Sequence, residues 1–177
     1  MDEIIDLLDE FGHETNKTIS KNEAHKKGLW HKAIHILIIN KNKTKTLIQQ
    51  RCENKKLFPN MWDISVGGHV LEKEDTLTSA KRELQEELGL NPNNYHIQEL
   101  CTIQESFKEK DIISNEYVTV YLIEADINIK DIILQKEEVS SIKWINKKEL
   151  NELIHNNQII PHIKEYEMLN NILIDIK

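Results

Sequence analysis

Between Gly68 and Leu90 the chain reads GHVLEKEDTLTSAKRELQEELGL, and the spacing inside this stretch limits the possible folds more than any other feature. Five residues separate Gly68 from Glu74 and seven more precede Arg82-Glu83, which are followed by Glu86-Glu87 and Gly89. At about 100° per residue, Leu77, Ala80, Leu84 and Leu88 share one helical stripe that must face a core. The pattern predicts a helix over 76–88, stopped by Gly89 in a left-handed cap with Leu90 packing back on the last turn. Glu83, Glu86 and Glu87 then occupy roughly a 100° arc along one flank of that stripe. Glu83 and Glu87, four apart, repel each other on the same side. Such a cluster beside a buried face, with Glu74 in the preceding loop, is costly without a cation. All-carboxylate ligation suits Mg²⁺ or Mn²⁺ rather than Zn²⁺. For such a run taken alone, a solvated acidic helix face is the simpler reading.

Elsewhere the pattern is one of strands mixed with a few helices, without regular βαβ alternation, which predicts an α/β fold built on a mixed sheet. Residues 3–10 read as a short strand, although their Ile/Leu spacing also suits a helical turn; a polar stretch follows Phe11-Gly12. The β-branched run over 32–40 predicts a buried strand, paired with 44–50 across a turn at Asn40–Asn42. A loop holding Lys55, Lys56, Pro59 and Asn60 leads to 62–66 and a Gly-Gly turn at Gly67-Gly68. Later strands are expected at 97–105, 116–124 and 141–144, then helices over 147–155 and from Pro161 onward, with that proline in a first helical turn. One domain spanning 1–177 fits this length, with residues 1–30 as an N-terminal extension packed on it.

With 30 acidic against 23 basic residues, the formal net charge is -7, which argues against partners such as nucleic-acid polymers or anionic membranes. An acidic chain handling an anionic ligand needs local cations. Cys52 and Cys101 form no CxxC pair and suggest no disulfide framework. The opening MDEIID carries acids where a secretory signal would be basic, and no apolar run is long enough to cross a bilayer, so the expected location is cytoplasmic.

The stretch from Gly68 to Leu90 matches the Nudix box, G-x5-E-x7-R-E-U-x-E-E-x-G-U with U aliphatic, at every defined position. The chain therefore resembles the Nudix hydrolase superfamily. The resemblance implies an α/β/α sandwich and hydrolysis of a phosphoanhydride bond in a nucleoside diphosphate derivative or similar small molecule. It also implies Mg²⁺ or Mn²⁺ held by Glu83, Glu86 and Glu87, with a backbone carbonyl from Gly67 or Gly68. Arg82 would orient the carboxylates, and Glu83 or Glu86 would take a proton from the attacking water.

Outside the box, residues 24–36, 49–56 and 59–70 look like the branch that includes isopentenyl diphosphate isomerases. Those enzymes carry a catalytic cysteine in a W-x-x-S-x-C-x-H arrangement, whereas Trp62 to His69 here reads WDISVGGH, with Gly67 in the cysteine position. Their box is also degraded, and this one is complete, so hydrolysis is the expected chemistry. Isomerisation and a non-catalytic nucleotide-sensing module are the alternatives. The branch resemblance nominates a second metal site from His25, His31, His69 and Glu116, although the His25–His31 spacing is one residue shorter than the isomerase pattern; ordinary hydrogen-bonded histidines are the competing reading. Arg51 and Lys55 sit where related proteins hold a diphosphate, with surface solubility as the alternative reading. Glu137 or Glu138 could complete the metal site, with a solvated turn as the alternative. Trp30, Trp62 and Trp144 are expected in packing roles, Trp30 being the one nearest a substrate mouth. A homodimer through the N-terminal segment or an exposed strand stays open.

Overall fold

The β-branched run becomes the central strand. In a computed structural model describing residues 2–175, strands follow in chain order as β1 Ile4–Leu8, β2 Glu14–Ser20, β3 Trp30–Ile39, β4 Lys45–Arg51, β5 Trp62–Asp63, β6 Val66–His69, β7 Gln98–Glu109, β8 Ile112–Glu124 and β9 Val139–Asn146. The helices are α1 Lys21–Lys27, α2 Thr76–Leu88, α3 Lys147–His155 and α4 Ile163–Ile172. Strand β3 pairs in parallel with β8 along its whole length, from Trp30↔Asn115 to Ile39↔Glu124. Its other edge is shared: β1 meets it at His31, β6 runs antiparallel over Ala33–Ile36, and β4 joins at Ile38 and Ile39. Strand β4 then leaves to pair with β9 and β5. A cleft lies beside this divergence.

Because successive side chains alternate across a strand, β3 feeds two cores. Ile34, Ile36 and Ile38 pack with Ala80, Leu84 and Leu88 of α2. Ala33, Leu37 and Ile39 pack on the opposite face, where Leu150 of α3 and Tyr166 and Leu169 of α4 close over them. This is the expected α/β/α sandwich. The helix α2 has the expected ends: Asp75 accepts the Thr78 N–H (2.7 Å), and Gly89 at φ 65° donates its N–H to Gln85 O.

Several details differ from the sequence expectation. The polar stretch after Gly12 contains β2, an edge strand paired with β1, and α1, which Ser20 caps and Gly28 ends in a left-handed turn. Gly67-Gly68 is not a turn but part of β6, facing His35 and Ile34 on β3. Leu77 lies in the first turn of α2 and stays 38% exposed, while fully buried Ser79 takes the inward position. The hairpin of β7 and β8 is longer than expected, turning at Lys110, which adopts φ 52°. Pro161 precedes α4 rather than entering it, since His162 occupies the N-cap and commits its ring elsewhere. Cys52 and Cys101 are free thiols. Among the described residues no helix is long and apolar enough to cross a membrane.

Candidate active site

The strand divergence opens a cleft of ≈ 940 Å³ whose lining includes Glu83, Glu86 and Glu87 of α2, Gly67 and Gly68 of β6, and Arg51 and Lys55. Glu83 and Glu87 are buried while the Glu86 side chain is half exposed, as their angular positions beside the apolar stripe dictate. Arg82 clamps the group: Nη1 donates to Glu83 (2.7 Å) and Glu86 (3.2 Å), and Nη2 to Glu74 (3.2 Å) and the His69 carbonyl (2.9 Å). Glu74 also accepts from Ser79 Oγ at 2.6 Å. It therefore holds Arg82 and the start of α2 in place and does not converge on the other carboxylates.

Burial pushes Glu83 up to about 6 against the pull of Arg82. Glu87, with Gln49 Nε2 at 3.1 Å, rises to about 8, first through burial and then through the charge of Glu83. Arg82 faces Glu83, and Lys55 is the cation that acts on Glu87, yet both carboxylates stay above their ordinary range, the condition a divalent cation corrects. Gly68 is required sterically: a Cβ there would stand 2.5 Å from Glu83 Cγ and closer still to its carboxyl group. The Glu83 carboxyl thus lies directly against the strand backbone.

Arg51 and Lys55 reach the cleft already engaged. Arg51 donates to Leu57 O (3.1 Å) and Asp63 (3.3 Å), and Lys55 is ion-paired with Glu138. Burial and then Arg51 lower the Lys55 pKa. Glu138 is the member of the acidic pair that lines the cleft, whereas the Glu137 carbonyl accepts from Cys52 Sγ. Trp30 packs against Tyr117 at a tilt of 57° with centroids 5.3 Å apart and does not line the cleft; Trp62 lies under Lys143, and Trp144 Nε1 donates to Ile127 O.

The four residues of the second candidate set do meet, despite the short His25–His31 spacing. Helix α1 brings His25, β3 brings His31, β6 brings His69 and β8 brings Glu116. His25 Nε2 and His69 Nε2 are 3.3 Å apart; Glu116 Oε1 lies 3.4 Å from His69 Nε2, 3.5 Å from His31 Nε2 and 3.9 Å from His25 Nε2. A tetrahedral ion with bonds of about 2.0–2.1 Å separates its ligand atoms by about 3.3–3.4 Å. The Leu29 carbonyl takes His31 Nδ1 at 2.8 Å, which leaves the buried Nε2 without a hydrogen bond and facing this centre. Burial and the neighbouring imidazoles lower His25 to about 4, and burial also lowers His69, shifts that favour the neutral imidazole a metal ligand requires. Burial opposes ionisation of Glu116, but His31 and His69 hold its pKa well below the usual range.

A further polar cluster was not anticipated. His35 Nδ1 meets Glu165 at 2.6 Å, and His162 lies between Glu105 (2.9 Å) and Asp63 (3.0 Å). A lone histidine in the otherwise apolar strand AIHILII was the available signal for it.

The family model described as NUDIX domain matches residues 29–166. The chain is 34% identical over 148 residues to Nudix hydrolase 3 of Arabidopsis thaliana; the match covers 81% of this chain but only 19% of that protein. It is 32% identical over 173 residues to an uncharacterized Nudix hydrolase of Listeria monocytogenes, covering 93% of this chain and 92% of the other. An isopentenyl-diphosphate Delta-isomerase of Dinoroseobacter shibae is 32% identical over 135 residues, 76% of this chain and 74% of that one. Among solved structures, a Deinococcus radiodurans protein superposes with a TM-score of 0.75 at 20% identity, covering 96% of this chain and 99% of the other, a likeness of fold.

Proposed function

The chain belongs to the Nudix family, and we propose that it is a Mg²⁺- or Mn²⁺-dependent hydrolase of a phosphoanhydride bond in a small diphosphate-containing molecule. The observation that carries this reading is the pair of buried carboxylates, Glu83 and Glu87, held at the cleft wall with too little positive charge around them. Glu83, Glu86 and Glu87, with the Gly68 carbonyl, would hold the metal. When bound there, it polarises phosphoryl oxygens and acidifies a water. Arg82 fixes the Glu83 and Glu86 carboxylates so that one can accept the proton of the attacking water. Lys55 and Arg51 stand on the cleft wall to meet the diphosphate oxygens, exchanging part of their contacts with Glu138 and Asp63. His25, His31, His69 and Glu116 would hold a second ion, and three imidazoles with one carboxylate suit a softer metal than the box does. The reading takes residues 1–177 as one domain with a small-molecule partner and a cytoplasmic setting.

Isomerisation of isopentenyl diphosphate is the second reading, favoured by the histidine geometry and by isomerases among the relatives. Gly67 opposes it, because no side chain there can move a proton at an allylic carbon. The deciding experiment measures phosphate and pyrophosphate release from nucleoside di- and triphosphates, nucleotide sugars and isopentenyl diphosphate, with Mg²⁺, Mn²⁺ or chelator. Metal-dependent release that falls at least about 100-fold in Glu87→Gln, with folding intact, supports the hydrolase. Isomer formation, or equal release by wild type, Glu83→Gln and Glu87→Gln, overturns it. Binding without turnover would point to a sensing module.

A further inference from the structure

His35 sits on β3 between Ala33 and Leu37, on the face turned away from the box helix, where strand alternation demands an apolar residue. Its Nδ1 is tied to Glu165 of α4 at 2.6 Å, and Glu165 is 0% exposed. Among the described residues Nε2 has no hydrogen-bond partner, and this edge of the ring faces Gly67 and the cleft: a Cβ on Gly67 would meet His35 Cδ2 at 3.3 Å and Nε2 at 3.7 Å. The His162 ring packs edge-on at 4.5 Å with both nitrogens committed, one to Asp63 and one to Glu105, and Asp63 continues to Arg51. These N···O separations of 2.6–3.0 Å are hydrogen-bond lengths, shorter than the edges of a metal tetrahedron. The cluster is held together by protons, in contrast to the His25 set, and only His35 has a nitrogen left to offer.

We propose that this wall is the specificity subsite of the cleft, in which His35 Nε2 hydrogen-bonds a hydroxyl or amide of a sugar- or nucleoside-like group attached to the diphosphate, and which disfavours a hydrocarbon chain. This rests on the hydrolase reading and deepens it. Water can satisfy Nε2 in the open cleft, but an aliphatic chain that displaced the water would leave the nitrogen unpaired. A site built to hydrogen-bond its substrate rejects an analogue lacking the polar group far more strongly than an apolar pocket rejects an added hydroxyl. Glu165 is a positioning residue: it fixes which ring edge faces the cleft and does not itself reach the ligand.

The test compares kcat/KM for ADP-ribose and for isopentenyl diphosphate in Mg²⁺, and their dissociation constants by calorimetry. His35→Phe alone would strand the buried Glu165 carboxylate, so the double variant His35→Phe/Glu165→Leu, which removes both partners, is used beside it. His35→Asn, which keeps a polar edge, is the rescue. The expected result is a preference of at least tenfold for ADP-ribose, carried mainly in KM, that falls at least tenfold in the double variant and returns in part in His35→Asn. Equal handling of the two probes by wild type, or an unchanged ratio in the folded double variant, overturns the proposal. The binding ratio keeps it separate from the hydrolase reading. Preference without turnover sinks hydrolysis and leaves the polar wall, and turnover without preference does the reverse.

Discussion

Replacing Gly68 by alanine separates the packing of the Glu83 carboxylate on α2 from the stability of β6, the strand that carries Gly68. Gly68 is not one of the glycines with positive φ, so an alanine backbone fits β6 without strain and gains slightly from reduced chain entropy. The added Cβ would stand 2.5 Å from Glu83 Cγ and nearer to its carboxyl group, whereas ordinary contact begins at 3.4 Å. Cγ alone must move by about 0.9 Å (3.4 less 2.5) and the nearer carboxyl group by more, so the side chain shifts by about 1 Å or more. Glu83 is flexible and borders an open cleft, so it can swing aside at small cost to folding. It cannot do so while keeping its 2.7 Å bond to Arg82 and its place among the box carboxylates. A misplacement of about 1 Å costs on the order of 10²-fold in rate, or about 2.7 kcal/mol of transition-state stabilisation. Metal-dependent phosphate release by Gly68→Ala should fall by that factor, while the urea unfolding midpoint moves little. Gly67→Ala is the control, because its Cβ meets the His35 ring at 3.3 Å and requires a shift of only a few tenths of an ångström. Activity of Gly68→Ala within threefold of wild type, or equal losses at both positions, would refute the assignment of Glu83.

Three further outcomes are expected. His31→Ala or Glu116→Ala should abolish one equivalent of bound Mn²⁺ or Zn²⁺ measured by mass spectrometry of the folded protein, and unchanged stoichiometry would dissolve the second site. Burial pulls His162 down, but the hydrogen bonds it donates to Asp63 and Glu105 raise its pKa well above the usual value. Its stabilising contribution is therefore complete below the unfolded value of about 6.5 and lost as pH rises through the folded one. The unfolding midpoint should fall on the alkaline side, and His162→Gln should flatten that slope; a parallel slope would refute the pairing. Leu84→Ala, removing a fully buried side chain between α2 and β3, should cost about 2–5 kcal/mol in denaturant unfolding, and a loss under 1 kcal/mol would contradict the packing described.

The parts of the fold legible in the sequence are those whose signal is local. The apolar stripe and Gly89 stop of α2 are written within a few turns of one another, and the observed helix has the expected bounds. The apolar run of β3 is long enough to declare itself. Strand β2 was missed because Glu14–Ser20 forms an exposed edge with almost no buried side chain, so no alternation marks it. Gly67-Gly68 was misread as a turn because paired glycines usually serve chain reversal. Here the missing Cβ at Gly68 makes room for a carboxyl group from a different element.

The two histidine clusters show the same limit from opposite sides. His25, His31, His69 and Glu116 could be nominated only through resemblance to a known pattern, and strand pairing then brought them together through His31↔Glu116 and Ala33↔His69. His35, Asp63, Glu105, His162 and Glu165 had no such pattern. His35 and Glu165 are 130 residues apart, and His162 lies 99 from Asp63 and 57 from Glu105, so no spacing records the contacts. What the sequence did record was the cost: a polar ring at an inward position of an apolar strand is unfavourable unless something distant satisfies it. That demand is met at Nδ1 by Glu165 and left open at Nε2 on the cleft side. The isolated irregularity in the β3 pattern thus marks a polar demand without recording the residues that meet it.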